Sequence, residues 1–254
     1  MAAALVPRPV KRLHERLRTA RYLHTVNRLN ADLIAREGLE VRRGPFAGLR
    51  YPDTLVRDAG DLAPKLLGTY EAELEHVLRS WVAAGFQHVV DVGSAEGYYA
   101  VGVAFAIPGA TVHAFDTDPA ARDRCAELAR HNGVAARVRI GGECTPETLA
   151  DLPEGGVALL VDAEGYEREL LDPRRAPRLR GWHLLAELHE FIDPGIARTL
   201  EARFLPTHEV NLIEGRSRED CQPPELAHLS ARSRAVLLDE NRPGHMRWME
   251  LRPR

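Results

Sequence analysis

The fold is decided by the stretch Phe86-Gln-His-Val-Val-Asp-Val-Gly-Ser-Ala-Glu-Gly-Tyr-Tyr-Ala100. Residues 88–92 are apolar and β-branched apart from one acid, a pattern typical of a strand buried on both faces of a parallel sheet. The strand should end at Gly93, and a helical pattern begins near Gly97. Strand, glycine turn and helix together predict the first βα unit of a nucleotide-binding sheet, where ligands lie outside the carboxyl ends of the strands.

The spacing of the turn separates the candidate ligands. A dinucleotide site requires G-x-G-x-x-G and a P-loop requires G-x-x-x-x-G-K-[ST], whereas this turn reads Asp91-x-Gly93-x-x-x-Gly97, with Glu96 and no lysine. A carboxylate repels a pyrophosphate and attracts a cofactor that carries an amino group and a sulfonium. The turn therefore favours S-adenosylmethionine, although an ordinary strand-to-helix connection also explains the glycines.

A second strand and the loop after a third supply the expected contacts to an adenosine group. Residues 110–116 form an apolar strand that ends on Asp116, 25 residues after the acid of the first strand. A carboxylate at this point accepts hydrogen bonds from both ribose hydroxyls. Asp118 precedes a proline and should cap the next helix. The loop after residues 136–140 should cover the adenine, where Glu143 either accepts from the adenine amino group or is an ordinary exposed acid.

Acids and a histidine collect at the ends of the fourth and fifth strands. Residues 157–162 are apolar up to Asp162, and residues 183–191 place Glu187 and His189 on one face by strand alternation. Transfer of a group to an acceptor requires an aligned acceptor and a base that takes its proton. We expect His189 to be that base, with Asp162 and Glu187 positioning the acceptor or a divalent metal such as Mg²⁺ or Mn²⁺.

Some of these side chains have a second interpretation. His189 would also suit a structural hydrogen bond to a neighbouring strand end. Glu164 and Glu167, which follow the fourth strand, either take part in the chemistry or stabilise a helix N-terminus. Glu190 should reach the same edge of the sheet. The identity of the metal ligands is left open.

The remaining pattern completes an α/β architecture. Residues 208–213 and 246–251 read as two final strands, which gives a seven-stranded, mostly parallel sheet with an antiparallel last hairpin, the Rossmann-like fold of class I methyltransferases. Residues 69–84 form a helical pattern with Thr69 as the expected N-cap. The segment 214–244 is long for a loop inside a compact domain, and we expect it to form a lid over the substrate.

An amphipathic helical pattern over residues 9–36 precedes this domain. We therefore expect a basic helical extension over residues 1–38 and a catalytic domain over residues 39–254. Residues 1–50 carry 11 Arg or Lys against 4 Asp or Glu. The helix either covers the core or a partner subunit, as in a homodimer, or binds nucleic acid or an anionic membrane.

The composition narrows the class of protein. After residue 50 the chain carries 23 Arg or Lys against 33 Asp or Glu, so charge alone disfavours nucleic acid as a partner of the domain. No apolar run is long enough for a membrane span. The three cysteines are scattered and odd in number, which favours a reducing compartment. We expect a cytoplasmic protein.

Several motifs together resemble the FkbM-type S-adenosylmethionine methyltransferases. They are Gly68-Thr-Tyr-Glu, Val90-Asp-Val-Gly-Ser-Ala-Glu-Gly-Tyr-Tyr, Ala114-Phe-Asp-Thr-Asp-Pro, Leu160-Val-Asp-Ala-Glu-Gly-Tyr-Glu and Ala186-Glu-Leu-His. The chain departs from that family at Ala95-Glu96, where the family often has an asparagine and an aliphatic residue, and at Asp116, where the family usually has glutamate. The resemblance implies cofactor contacts by Tyr70, Glu71, Asp91, Gly93, Ser94, Glu96, Gly97, Tyr98, Asp116, Thr117, Glu143, Cys144 and Asp162.

The resemblance implies O-methylation of a small molecule such as a natural product or a sugar, or of a peptide. Two other functions remain open on the sequence. One is a methyltransferase-like domain that binds the cofactor or a protein partner and catalyses nothing. The other is a nucleic-acid methyltransferase that uses the basic N-terminal helix, although the chain has no Asn/Asp-Pro-Pro-aromatic stretch for a base amino group.

Overall fold

A single seven-stranded sheet organises the protein, with the strand order β3-β2-β1-β4-β5-β7-β6. The computed structural model describes residues 8–56, 61–240, 242 and 244–254, with the backbone alone for residues 8–21 and 219. The strands are β1 His88–Val92, β2 Thr111–Phe115, β3 Val138–Gly141, β4 Val157–Val161, β5 His183–Leu188, β6 His208–Glu214 and β7 Arg247–Pro253. Only β7 runs antiparallel to its neighbours, β5 and β6. The predicted sheet, including its antiparallel last hairpin, is confirmed.

The order of the strands places the glycine turn at the centre of the sheet. Strand β1 lies between β2 and β4 and is parallel to both. Because the chain moves outward from β1 first to one side and then to the other, a crevice opens at the carboxyl ends of β1 and β4. All five residues of β4 are buried, as its uninterrupted apolar sequence predicts.

Helices cover both faces of the sheet. Among the described residues they are α1 Arg8–Glu37, α2 Leu62–Leu67, α3 Glu75–Ala84, α4 Tyr98–Ala106, α5 Pro119–His131, α6 Pro146–Asp151, α7 Glu167–Leu170, α8 Ile196–Phe204 and α9 Ala231–Leu237. The apolar side chains form one large core on each face, and Trp81 and Trp182 are fully buried on opposite faces. Burial of a large apolar side chain contributes about 1.5–3 kcal/mol, so these two layers hold the sheet.

The helix predicted over residues 69–84 begins later than expected. Thr69 does not cap it; its hydroxyl instead lies 3.4 Å from the carbonyl oxygen of Pro64. Glu71 has a left-handed backbone (φ 46°), which interrupts any helix at that point, and α3 starts only at Glu75 after a 3-10 turn. The buried side chain of Glu71 explains the interruption, because it accepts a hydrogen bond from the hydroxyl of Tyr99.

The second half of α1 lies on the domain. Leu29 and Leu33 pack with Leu67 of α2 and with Leu237 and Leu238 at the end of α9. The predicted apolar positions before residue 22, and residues 1–7 of the expected extension, lie outside the side chains that the structure describes. Segment 214–244 contains α9 and two 3-10 helices, Arg218–Asp220 and Pro224–Leu226, and it is therefore more ordered than a simple loop.

Within the described residues, no helix is both long enough and apolar enough to cross a membrane.

A buried histidine predicts how stability depends on pH. The side chain of His208 is fully buried, its Nε2 lies 3.0 Å from the carbonyl oxygen of Trp182, and burial lowers its pKa. The unfolded chain therefore binds a proton between the ordinary histidine pKa and this lowered value, where the folded chain does not. We expect His208 to reduce the free energy of unfolding as the pH falls below about 6.5, by up to about 1.4 kcal/mol per pH unit.

Denaturant unfolding of the wild type, His208→Gln and His131→Gln at pH 5.0 and 7.5 measures this contribution. His131 is exposed, so its variant is the matched control. The loss of stability between the two pH values should be smaller in His208→Gln alone. An equal loss in all three proteins would contradict the assignment.

Candidate active site

The glycine turn follows β1 in close contact with the end of β4. Gly93 has a left-handed backbone (φ 87°), and a Cβ atom there would lie 1.7 Å from the carbonyl oxygen of Asp162. The N–H groups of Gly93 and Ser94 both donate to the carbonyl oxygen of Phe115, at 2.9 and 3.0 Å. The turn is therefore held between β2 and β4, and only glycine fits at its first position.

Asp116, the acid predicted to hold the ribose, fastens this turn to the end of β2. Its two carboxylate oxygens accept from the N–H groups of Ala95 and Asp118, both at 2.8 Å. Each oxygen keeps a further lone pair for a ligand. Asp118 caps α5 by accepting from the N–H groups of Ala120 and Ala121, so its predicted role as a cap is confirmed.

A cavity of about 360 Å³ lies at this edge of the sheet, within the size range of ligand sites. Six of the predicted cofactor residues line it, namely Gly93, Asp116, Thr117, Glu143, Cys144 and Asp162. The other lining residues are Val92, Ala95, Phe115, Gly142, Ala163, Glu164 and Tyr166. The predicted residues Tyr70, Glu71, Asp91, Ser94, Glu96, Gly97 and Tyr98 do not line it.

Glu96 is not the free acid that the sequence suggested. The Nζ atom of Lys65, on α2, lies 2.6 Å from its carboxylate and 2.7 Å from that of Asp61. Lys65 is almost fully buried, so its charge lies away from water and is compensated by these two carboxylates. Glu96 is therefore engaged by Lys65, which it shares with Asp61. Lys65 was missed because it precedes the turn by 31 residues and has no motif of its own.

Two buried acids near the turn have raised pKa values. Burial raises the pKa of Asp91 to about 8, and neither of its carboxylate oxygens has a hydrogen-bond partner among the described residues. Burial also raises the pKa of Glu71 to about 8, although Arg242 lies 3.0 Å from its carboxylate. A positive group that reached these acids would lower both pKa values, because it favours the ionised form.

His189 is oriented by a buried glutamate. Its Nδ1 atom lies 2.9 Å from Oε1 of Glu167, and the same oxygen accepts from the N–H groups of Ala163 and Gly165. Burial works to raise the pKa of Glu167, but these hydrogen bonds and the charge of His189 lower it below its usual range. Glu167 thus remains a fixed carboxylate, and the imidazole is directed with Nε2 away from it.

Three further carboxylates surround Nε2 of His189. It lies 3.5 Å from Asp162, 3.5 Å from Glu164 and 3.7 Å from Glu187. Burial works to lower the pKa of His189, but its hydrogen bond to Glu167 and the charges of the other acids raise it. Burial raises the pKa of Asp162, and burial together with Asp162 raises that of Glu187 to about 10. The structure therefore brings the predicted set His189, Asp162 and Glu187 together.

Glu164 is a member of this cluster that the sequence left undecided. One ligand atom from each of Asp162, Glu164 and His189 lies within 4.8 Å of the others, a spacing that suits a metal ion. Glu190, expected at the same edge, is instead turned to Arg247, at 2.6 Å. A strand that ended at residue 191 would have carried Glu190 along the edge, whereas β5 ends at Leu188.

Segment 214–244 contacts the acids at this edge of the sheet through two arginines. Arg242 lies 3.0 Å from Glu71 and 3.9 Å from Glu187, while Arg218 lies 2.7 Å from both Glu73 and Glu240. These ion pairs tie the segment to the edge of the sheet. The sequence predicted a lid here but gave no sign of which side chains would hold it.

Comparisons with known proteins establish the fold. No protein-family model and no curated protein matches the chain. It resembles the O-methyltransferase TomG from Streptomyces achromogenes, solved with SAM, at 14% identity and a TM-score of 0.52 over 81% of this chain and 92% of that one. It also resembles an O-methyltransferase from Bacillus cereus solved with SAH, at 12% identity and a TM-score of 0.47 over 90% of each chain. The fold is that of class I methyltransferases, whereas the resemblance to FkbM-type enzymes stays a prediction.

The close contact at Gly93 predicts a severe effect of one methyl group. Gly93→Ala forces a left-handed alanine and places Cβ against the carbonyl oxygen of Asp162, so we expect a loss of at least about 3 kcal/mol of unfolding free energy. Gly142 lines the same cavity with nothing within 4 Å of an added Cβ, and Gly142→Ala should stay within about 0.5 kcal/mol. Denaturant unfolding measures both; a Gly93→Ala protein within 1 kcal/mol of the wild type would contradict the geometry.

Proposed function

We propose that this protein is an S-adenosylmethionine-dependent methyltransferase that methylates an oxygen atom of its acceptor. The observation that carries the proposal is the pair of buried acids at this edge of the sheet: Asp162 lines the cavity, Asp91 lies on β1 just before the turn, and burial raises the pKa of both. Such acids favour a ligand that brings positive charge. S-adenosylmethionine brings two, an ammonium and a sulfonium, together with an adenosine.

The proposed contacts follow the cavity from one end to the other. Asp116 accepts from the ribose hydroxyls through the lone pairs that its two backbone hydrogen bonds leave open. Phe115 and the loop of Gly142 and Glu143 line the part of the cavity beside it and are assigned to the adenine. Asp162 follows β4, which lies on the other side of β1 from β2 and Asp116, and it is assigned to the charged methionine end.

The acceptor is proposed to be a small molecule or a peptide with a hydroxyl group, on the resemblance to FkbM-type enzymes. It would approach the cluster of His189, Asp162 and Glu187, the group of side chains at the ends of β4 and β5 that can hold or move a proton. Transfer needs the acceptor oxygen in line with the sulfonium methyl and a group that removes the hydroxyl proton.

His189 can remove that proton only from its neutral form. In the free protein the surrounding acids raise its pKa, so a larger share of Nε2 is protonated at neutral pH than in an ordinary histidine. A positive group bound beside Asp162 and Glu164 opposes those acids and lowers the pKa of His189 again. Cofactor binding is therefore proposed to prepare the base as well as to deliver the methyl group.

A divalent cation is the alternative role for the same side chains. Asp162, Glu164 and His189 would hold it, and Glu167 at Nδ1 completes the carboxylate–histidine arrangement that orients metal-binding imidazoles. Two carboxylates and one imidazole suit Mn²⁺ or Mg²⁺. Bound there, the ion would polarise an acceptor hydroxyl as a Lewis acid, and His189 would then be a ligand and not the base.

Asp116 provides the test of the cofactor. We expect Asp116→Asn to bind S-adenosylhomocysteine at least about tenfold more weakly, because a charged acceptor of ribose hydrogen bonds is lost. Asp118→Asn, two residues away, should bind within threefold of the wild type, since Asp118 only caps α5. Calorimetric titration gives the affinities, and thermal unfolding without ligand shows that each variant is folded.

The wild type should be stabilised by about 2.7 kcal/mol at 100 times the dissociation constant. A wild type that binds neither S-adenosylmethionine nor S-adenosylhomocysteine would contradict the proposal. Binding without turnover of any hydroxylated acceptor would favour the non-catalytic domain instead.

Measurements of metal binding distinguish the two proposed roles of His189, as the base and as a metal ligand. If the cluster holds a cation, Mn²⁺ titrated by electron paramagnetic resonance should bind the wild type, while His189→Asn and Glu164→Gln should each bind at least about tenfold more weakly. Glu143→Gln removes an acid from the same cavity outside the cluster and should bind Mn²⁺ as the wild type does. A wild type that binds neither Mn²⁺ nor Mg²⁺ at millimolar concentration would remove the metal role and leave the base.

A further inference from the structure

A groove rich in arginine lies outside the cavity at the sheet edge. It has a volume of about 720 Å³ and is formed by α7, the 3-10 helix Pro177–Gly181 and α8. Ten residues line it, of which five are arginines and one, Asp172, is an acid. The arginines are Arg168, Arg174, Arg180, Arg198 and Arg203. None of them takes part in the proposed methyl transfer.

Three of the five arginines are fixed by the fold. Arg168 donates to both carboxylate oxygens of Asp193 and, at 2.5 Å, to the hydroxyl of Thr199. Arg203 donates to the carbonyl oxygens of Arg168 and Leu171, at 2.5 and 2.9 Å. Arg174 forks onto Asp172, which lies 2.5 Å away. Their guanidinium groups are therefore held in place around the groove before any ligand binds.

The remaining two arginines have no partner among the side chains that the structure describes. Within the described part of the chain, Arg180 and Arg198 make neither an ion pair nor a side-chain hydrogen bond, although Arg178 beside them lies 3.7 Å from Glu154. Burial, assisted by the charges of Arg174 and Arg168, lowers the pKa of Arg203 in spite of Asp172. Asp193 and Asp172 thus neutralise only part of the charge of the groove, and the positive charges that remain repel one another.

We propose that this groove is a binding site for a compact anion with two or three negative charges, of the phosphate monoester or diphosphate class. Guanidinium groups match such oxygens in bidentate pairs, which Arg180 and Arg198 can supply, while the three fixed guanidinium groups add positive charge around them. A compact ligand fits better than a nucleic acid, because the charges meet in one cavity and do not form a stripe. The domain after residue 50 is acidic overall, with 33 Asp or Glu against 23 Arg or Lys, and would repel a long polyanion.

Pyrophosphate is the probe for this site. Calorimetric titration at low salt and pH 7.5, in a buffer free of phosphate, should show binding to the wild type. The double variant Arg180→Gln/Arg198→Gln should bind at least about tenfold more weakly, because two charged hydrogen-bond donors are lost. Arg180→Lys/Arg198→Lys keeps the charge but not the forks and should fall between the two.

A control of equal charge separates the groove from the general field of the protein. Arg178 and Arg79 lie outside the lining and are paired with Glu154 and Glu75, so Arg178→Gln/Arg79→Gln should bind pyrophosphate within about threefold of the wild type. Thermal unfolding of each variant without ligand shows whether it is folded. The proposal is overturned if the wild type fails to bind pyrophosphate, or if the groove variant and the control lose affinity equally.

A nucleic acid is the competing ligand and has its own result. A 20-nucleotide single-stranded RNA that binds the wild type more tightly than pyrophosphate, with an affinity that falls steeply with salt and is lost in Arg180→Gln/Arg198→Gln, would make the groove part of a nucleic-acid surface. That result would overturn the proposal that the groove binds a compact anion. If RNA does not bind, or binds the double variant as it binds the wild type, the expected pyrophosphate results support the proposal of a compact anion.

Discussion

The backbone contact between the turn after β1 and the end of β4 positions most of the candidate site. Gly93 lies against the carbonyl oxygen of Asp162, and the N–H of Asp162 donates at 2.9 Å to the carbonyl oxygen of Val92. Any side chain at residue 93 would push the two strand ends apart. The contact brings Asp162, and with it Glu164 and Glu167, beside the cavity that Asp116 closes on the other side. The proposed cofactor site and the proposed catalytic side chains are therefore adjacent, because the two strand ends approach each other without a side chain between them.

The close approach of the strand ends also determines the charge of the acids at this edge of the sheet. Parallel strands bring their carboxyl ends together, and here Asp91, Asp162 and Glu187 all end or nearly end a strand. Burial raises the pKa of all three, which means that the free protein keeps part of the cluster protonated to avoid repulsion. Arg242, brought from segment 214–244, compensates only part of this charge. A cationic ligand would compensate the negative charge that remains on these acids. The fold and the proposed cofactor are therefore linked, because the strand ends that the fold brings together require a positive counter-charge.

The sequence predicted those parts of the structure that depend on neighbouring residues. Strand β1 has the predicted bounds, and the cap at Asp118 and the seven strands with their antiparallel last hairpin agree, because apolar runs, glycines and capping residues act locally. Thr69 failed as a cap because Glu71 is drawn into a distant contact with Tyr99 and Arg242. Lys65, Arg242 and the arginine groove were missed for the same reason, since each depends on pairing between segments far apart in the chain.

The two charged regions are joined by one ion pair. Arg168, at the groove, holds both carboxylate oxygens of Asp193, and the N–H of Asp193 donates at 2.9 Å to the carbonyl oxygen of His189. Glu167, the residue before Arg168, fixes the imidazole of His189 from the other side. An anion that competes with Asp193 for Arg168 would loosen the loop that carries His189, whereas one bound by Arg180 and Arg198 would leave it in place. The partner that each arginine already has therefore decides whether the groove and the acidic edge act independently, and the two unpaired arginines favour independence.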